Sequence, residues 1–212
     1  MTHGSLLQPS PVKGASQFRG HALQVLRLAT VPFHTQLDAH AAMRRLQEPD
    51  CSAADLKLAL LSLQRPVQLI EQALDAHGCD LSQALGVPTQ PWSDWLREDL
   101  HQLASVEVSP VPELSMRPAG LATGMIDCLG LQYVMMGSTF GATFLADQLA
   151  RSGDERVTAS RYFQHVGSLR IHFQGWSHTL NGLLYSQQEL DCMAQAACRA
   201  FSLFIDALPE RP

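Results

Sequence analysis

Apolar side chains recur three to four positions apart along most of the chain after Gly20, and this spacing predicts amphipathic or buried helices. Sustained alternation of apolar and polar residues, which would indicate strands, is absent, and no internal repeat occurs. The predicted helical segments cover residues 22–46, 52–76, 92–103, 120–151, 157–184 (as one or two helices) and 186–208. The pattern therefore predicts a single all-α domain of seven or eight helices.

Polar residues mark where two of these helices begin. Ser52 is expected to cap the second helix, with Asp55 in its first turn. Ser186 and Glu189 have the spacing of a capping box, in which each side chain binds the backbone of the other residue. The last helix is therefore expected to begin at this point of the sequence.

Two prolines interrupt predicted helices. Proline lacks a backbone donor and clashes with the preceding helical turn, so we expect a helix start or a kink at Pro32, with His34 just beyond it. For the same reason Pro66 is expected to kink or divide the second helix. His34 would then lie near the beginning of an amphipathic helix.

The length of 212 residues suits one domain with a sizeable core, with residues 1–20 as a mobile extension and residues 21–212 as the folded part. The composition, 46% hydrophobic and 17% charged, is typical of a globular protein. The formal net charge of −5 argues against nucleic acid as a partner. No apolar run reaches the length of a membrane span, and the N-terminus does not have the pattern of a secretory signal.

Five cysteines are scattered along the chain with no Cys-x-x-Cys pair. An odd number of dispersed cysteines favours free thiols over a disulfide framework or a zinc site, and a reducing compartment such as the cytoplasm is expected.

Two glycines lie four positions apart in the apolar helix that contains Tyr133, Gly137, Ser138 and Gly141. Each costs about 0.5–1 kcal/mol of helix stability relative to alanine, and the two share one helix face. A face without side chains permits either the close approach of another helix or contact with a flat ligand. The segment alone does not decide between these two interpretations.

A second segment, Thr30-Val-Pro-Phe-His34, precedes the glycine helix by about a hundred residues. Together with Trp95-Leu-Arg-Glu-Asp99-Leu and the closing Phe201-x-x-Phe204, the two segments resemble heme oxygenases in order and spacing. The resemblance extends from about residue 22 to 208. The Gly-Ser form of the glycine motif, ending in Ala142, is similar to the bacterial branch, which includes enzymes that supply biliverdin to bacteriophytochromes.

The resemblance implies roles for particular residues. His34 would be the axial ligand of heme iron, because neutral imidazole suits this role; His40, six positions on, would face another direction. Gly137 and Gly141 would let the distal helix approach the porphyrin, and Ser138 would contribute to proton delivery. Arg27 and Tyr133 are the first candidates to bind the propionates, Arg170 and Arg199 weaker ones, and Phe201 and Phe204 would line the pocket.

The implied activity is cleavage of heme b, which is both cofactor and substrate, to biliverdin, carbon monoxide and ferrous iron. It would use O2 and electrons from a ferredoxin or a flavoprotein reductase, and a bacteriophytochrome is a possible acceptor of biliverdin. A non-catalytic heme carrier or sensor with the same fold is the main alternative. A thiaminase-like or di-iron protein is disfavoured, because a di-iron bundle needs two Glu-x-x-His motifs and the sequence has no such pair.

Overall fold

The computed structural model describes residues 17–78, 92–114, 117 and 120–209. In these ranges the chain forms nine α-helices, a 3-10 helix at Leu169–His172 and two short strands. The helices are α1 Ala22–Ala39, α2 Ala41–Arg45, α3 Ala53–Ala76, α4 Trp92–Gln102, α5 Met125–Leu149, α6 Glu155–Thr158, α7 Tyr162–Ser168, α8 Phe173–Gly182 and α9 Gln187–Asp206. The predicted all-α class is confirmed. The number exceeds the predicted seven or eight because the predicted segment 22–46 forms two helices, α1 and α2, and the region of segment 157–184 forms three, α6, α7 and α8.

The strands β1, Gln17–Arg19, and β2, Leu184–Ser186, pair antiparallel. The sequence shows no strand signal at either segment. The reason is that three-residue strands are too short to show an alternating pattern. β1 falls within the predicted extension of residues 1–20. Residues 1–16 lie outside the described part of the chain, and the extension itself stays a prediction.

Helix α1 runs from Ala22 to Ala39 through Pro32, so a helix start at Pro32 is wrong, while the alternative of a kink there stays a prediction. Pro32 is exposed, and on a solvent-facing side of a helix water can bind the carbonyl group that proline leaves unpaired. His34 consequently lies in the last turns of α1 and not at its beginning. Helix α3 likewise continues through Pro66 undivided.

The helix starts predicted at Ser52 and Ser186 are confirmed. The Ser52 hydroxyl accepts the backbone N–H of Asp55 at 3.2 Å, and the Asp55 carboxylate accepts the backbone N–H of Ser52 at 2.9 Å. The same reciprocal pair joins Ser186 and Glu189 at the start of α9, at 3.3 and 2.7 Å. Two capping boxes therefore satisfy backbone donors at the two helix ends.

Helix α5 lies at the centre of the fold and packs against α9 and α7, while α1 packs against α9 and α3 against α4. The contact between α5 and α9 is tight at Gly130, where an added Cβ would overlap the carbonyl oxygen of Met193 and lie 3.0 Å from the backbone nitrogen of Ala197. No helix in the described ranges is both long and apolar enough to cross a membrane. None of the four cysteines that the structure describes forms a disulfide with another: Cys51, Cys128, Cys192 and Cys198.

Candidate functional site

A cleft of about 350 Å³ lies between the last turns of α1 and the middle of α5. Side chains from α3, α7 and α9 close its remaining sides, and its lining is mainly aliphatic and aromatic. Its volume falls at the lower end of the range of about 300–1,000 Å³ that is common for small-molecule sites. His34 and Ser138 are among the few polar residues that line it.

His34 projects into the cleft from α1 and is half-buried. Its ring meets the ring of Phe201 edge-on, with 4.4 Å between centroids. Burial lowers the pKa of the His34 imidazole below its ordinary value, and the carboxylate of Asp38 opposes that shift only in part. His34 therefore stays neutral at neutral pH, which is the form of imidazole that binds a metal ion.

The glycine face of α5 opens into the cleft from the other side. A Cβ placed on Gly137 or Gly141 would meet no atom within 4 Å, whereas one on Gly130 of the same helix would collide with α9. Both open glycines line the cleft. The helix-packing interpretation consequently applies to Gly130 and does not account for Gly137 and Gly141.

Ser138 lies between the two open glycines, lines the cleft and is exposed. Its hydroxyl donates a 2.8 Å hydrogen bond to the carbonyl oxygen of Met135 in the preceding helical turn. The hydrogen is thus used within the helix, and the hydroxyl oxygen remains able to accept a hydrogen bond from a water or a ligand.

The other predicted site residues divide into two groups. Phe201 and Phe204 of α9 line the cleft, as expected. Tyr133 does not: it is buried beside α1, where its hydroxyl lies 3.2 Å from the hydroxyl of Thr30. Arg27 is exposed on α1 and is also absent from the lining. Roles for Tyr133 and Arg27 at the propionates therefore stay predictions.

The two weaker arginine candidates are now distinguishable. The guanidinium carbon of Arg170 lies 4.8 Å from the ring centroid of Phe140, a residue that lines the cleft, so Arg170 is at the rim. Arg199 instead binds the carboxylate of Asp127 at 3.4 Å and the carbonyl oxygen of Leu121 at 3.2 Å. Arg199 thus has partners of its own, and neither of them lines the cleft.

The sequence did not indicate the wall that α7 contributes, where Tyr162, Phe163 and Val166 line the cleft. No local motif distinguishes these residues from ordinary core, and only the packing of α7 on α5 brings them to the site. Burial raises the pKa of Tyr162 well above its ordinary value, and nearby Glu71 and Asp99 add to the effect. The Tyr162 phenol is therefore protonated at neutral pH.

No cluster of three or more histidine, cysteine, aspartate or glutamate side chains suited to a metal ion occurs among the residues that the structure describes. A bare metal site built from several protein ligands is thus absent from this part of the chain. The geometry of the cleft instead offers one imidazole and an apolar, flat space.

The all-α fold described above is shared with a solved structure of a heme oxygenase. The chain is similar to the solved heme oxygenase from Leptospira interrogans, with a TM-score of 0.60 and 15% sequence identity over 88% of this chain and 98% of that one. At this identity the likeness shows a shared fold. No family model matches the chain, and no curated protein matches it by sequence.

Proposed function

We propose that the chain binds heme in the cleft between α1 and α5 and cleaves it as a heme oxygenase of the bacterial type. The observation that carries the proposal is the juxtaposition of a neutral imidazole, His34, with the open faces of Gly137 and Gly141 in one apolar cleft. A planar macrocycle needs one axial donor and a flat surface free of side chains, and these residues fit both needs.

The residues also fit the shape and polarity of heme. Phe201 supports the His34 ring from the side, which limits the orientations of the imidazole. The aliphatic and aromatic lining suits the porphyrin body, and Arg170 at the rim offers a cation for a propionate. Arg27, further towards the start of α1, is a second candidate for that role.

Heme itself supplies the oxygen chemistry once O2 and external electrons are available. The chain's part is to hold the iron through His34, to leave space on the glycine side, and to exclude bulk water with the surrounding apolar wall. Ser138 offers an acceptor for a water molecule at the glycine face. The products are biliverdin, carbon monoxide and ferrous iron, as the resemblance to the family implies.

The partners follow from that chemistry and from the family resemblance. Electrons come from a ferredoxin or a flavoprotein reductase, as the family resemblance implies. Biliverdin passes to an acceptor such as a bacteriophytochrome. We place the protein in the cytoplasm, where reductases of this kind and free thiols are found.

Hemin titration followed by reduction in air tests the proposal. Wild-type protein should give a sharp Soret band whose intensity saturates at a fixed ratio of hemin to protein. When reductant is added in air, this band should decay while a broad red biliverdin absorption grows. A Soret band that persists through repeated reduction in air identifies a heme carrier or sensor in place of an enzyme.

The variant His34→Ala should lose turnover and shift the Soret band, and added imidazole should restore a low-spin spectrum. His178→Ala is the matched control, because His178 is an exposed histidine on α8 away from the cleft. A His34→Ala protein with the spectrum and activity of the control rules out His34 as the ligand.

A further inference from the structure

Helix α7 is a wall of the cleft and has only seven residues. Helices this short are not stable in isolation, because the cost of nucleation exceeds the gain from a few hydrogen bonds. The position of the α7 side chains in the cleft therefore depends on how the rest of the molecule fastens the two ends of the helix.

The start of α7 is fastened by Asp99 of α4, which is only 2% exposed. Its carboxylate accepts hydrogen bonds from the Ser160 hydroxyl at 2.5 Å and from the backbone N–H groups of Arg161 at 3.0 Å and Tyr162 at 2.9 Å. A buried carboxylate with several donors forms strong, charge-assisted bonds. Asp99 thus satisfies backbone donors at the N-terminus of a neighbouring helix, next to Tyr162 and Phe163.

The end of α7 is fastened to α5. An added Cβ at Gly167 would lie 3.0 Å from the backbone nitrogen and Cα of Thr143, so the two backbones are in direct contact. The Thr143 hydroxyl donates to the Thr139 carbonyl oxygen of its own helix at 2.8 Å and makes a weaker, shared contact with the Gly167 carbonyl oxygen at 3.3 Å. Thr143 follows Gly141 by two residues, and the contact therefore joins α7 to the helix that carries the glycine face.

We infer that Asp99 and Gly167 are positioning residues that fix the distance of the α7 wall from the glycine face of α5, and so set the width of the cleft for a flat ligand. The identity of that ligand as heme rests on the proposed function. The fastening itself does not, since the contacts are between protein atoms alone.

The variant Asp99→Asn keeps the size of the side chain but replaces one acceptor oxygen with a donor NH2 group. In either orientation of the amide, its NH2 group faces a donor: the Arg161 N–H at the place of one oxygen, or the Ser160 and Tyr162 donors at the place of the other. We expect faster hydrogen exchange of backbone amides in residues 160–168 of the ligand-free protein, and a hemin dissociation constant about threefold to tenfold higher.

Asp127→Asn is the matched control. Asp127 is also buried, and its carboxylate accepts the hydroxyl and the backbone N–H of Thr123, each at 2.8 Å, at the start of α5. The partners of its carboxylate, Thr123 and Arg199, do not line the cleft. Asp127→Asn should lower the melting temperature. It should not change amide hydrogen exchange at residues 160–168, and it should not change hemin affinity by more than the loss of stability explains.

Gly167→Ala tests the other end of α7 independently, since its methyl group pushes against the Thr143 backbone. It should weaken hemin binding in the same direction as Asp99→Asn and alter the Soret band. If Asp99→Asn does not fold, Gly167→Ala and the milder Ser160→Ala decide the matter through the same two measurements.

Two results separate the inference from the proposed function. If wild-type protein does not bind hemin, the proposed function fails, while hydrogen exchange in the ligand-free variants still decides the fastening of α7. If the backbone amides of residues 160–168 exchange hydrogen no faster in the Asp99 and Gly167 variants than in Asp127→Asn, the inference is overturned. It is also overturned if they bind hemin as tightly as this control at equal loss of melting temperature.

Discussion

The two halves of α5 carry the same residue type for opposite reasons. In the first half Gly130 is pressed against the backbone of α9, and even a methyl group has no room there. In the second half Gly137 and Gly141 face open space on the side of the cleft. The small size of glycine permits helix packing in one half and leaves a cavity in the other. The structural role of a glycine therefore depends on what lies opposite it.

The open half also has an energetic consequence. Each of Gly137 and Gly141 lowers helix stability by about 0.5–1 kcal/mol relative to alanine. Gly130 offsets that loss through the close packing of α5 on α9, but the open pair makes no packing contact that alanine would prevent. The fold alone therefore gives no reason for glycine at these positions, and this supports a ligand on that face.

Alanine substitutions should separate the two halves most strongly. Gly130→Ala should destabilise the protein by about 1–3 kcal/mol, because its Cβ overlaps the Met193 carbonyl and α9 must shift. Gly137→Ala should stabilise the ligand-free protein by about 0.5–1 kcal/mol through helix propensity. Denaturant unfolding of the two variants measures both free energies. Equal losses of stability would mean that the open face is in fact packed.

A larger side chain on the open face should affect the ligand and leave the fold intact. Gly141→Leu places a branched side chain in the cleft, and we expect hemin affinity to fall at least tenfold, about 1.4 kcal/mol, with loss of turnover. The melting temperature of the ligand-free variant should not fall, since leucine favours the helix and meets no neighbour at its Cβ. Normal heme cleavage by this variant contradicts the proposed role of the face.

The same contrast shows how far the sequence could be interpreted. Local signals were sufficient for the two helix starts, the cap at Ser52 and the capping box at Ser186 and Glu189, and the structure adds the reciprocal bond from Asp55 to Ser52. The sequence shows that Gly137 and Gly141 are paired on one helix face, but no local rule distinguishes their surroundings from those of Gly130. Which glycine faces a helix and which faces a cleft depends on α9 and α1, and these lie far away in sequence.

Other parts of the site could not be predicted from local sequence patterns, because they depend on contacts that are distant in sequence. Pro32 indicated a helix boundary, yet α1 continues through it because the proline is on the exposed side. The wall formed by Tyr162 and Phe163 depends on Asp99, which is more than sixty residues away and holds the start of α7 through three donors. Tertiary contacts of this kind have no spacing pattern that a single sequence reveals.

The pH dependence of stability should distinguish the His34 side of the cleft from the glycine side. Burial lowers the pKa of His34 in the folded state below its unfolded value of about 6.5. At pH values between these two pKa values, the unfolded state therefore binds more protons than the folded state. The contribution is fully present above about pH 6.5 and is lost as the pH falls towards the folded pKa. His34→Gln should lack this dependence, and Gly137→Ala should keep it, in unfolding measurements across the window.

The smallest expected effect is that of Ser138, which lies on the glycine face but already uses its hydroxyl hydrogen. Since that hydrogen is donated to the Met135 carbonyl, Ser138→Ala removes only an acceptor for water. We expect a loss of about 0.5 kcal/mol, roughly twofold in rate, with hemin affinity unchanged. Single-turnover rates after reduced, hemin-loaded protein is mixed with oxygen measure it.

Ser138→Thr is the matched control, because it keeps the hydroxyl that can bond to the Met135 carbonyl and adds only a methyl group. If the acceptor matters, threonine should retain the wild-type rate and alanine should not. Equal rates for all three proteins remove Ser138 from proton delivery. Backbone groups beside Gly137 and Gly141 would then be the next candidates to hold water at the ligand, and the open half of α5 would act through its backbone.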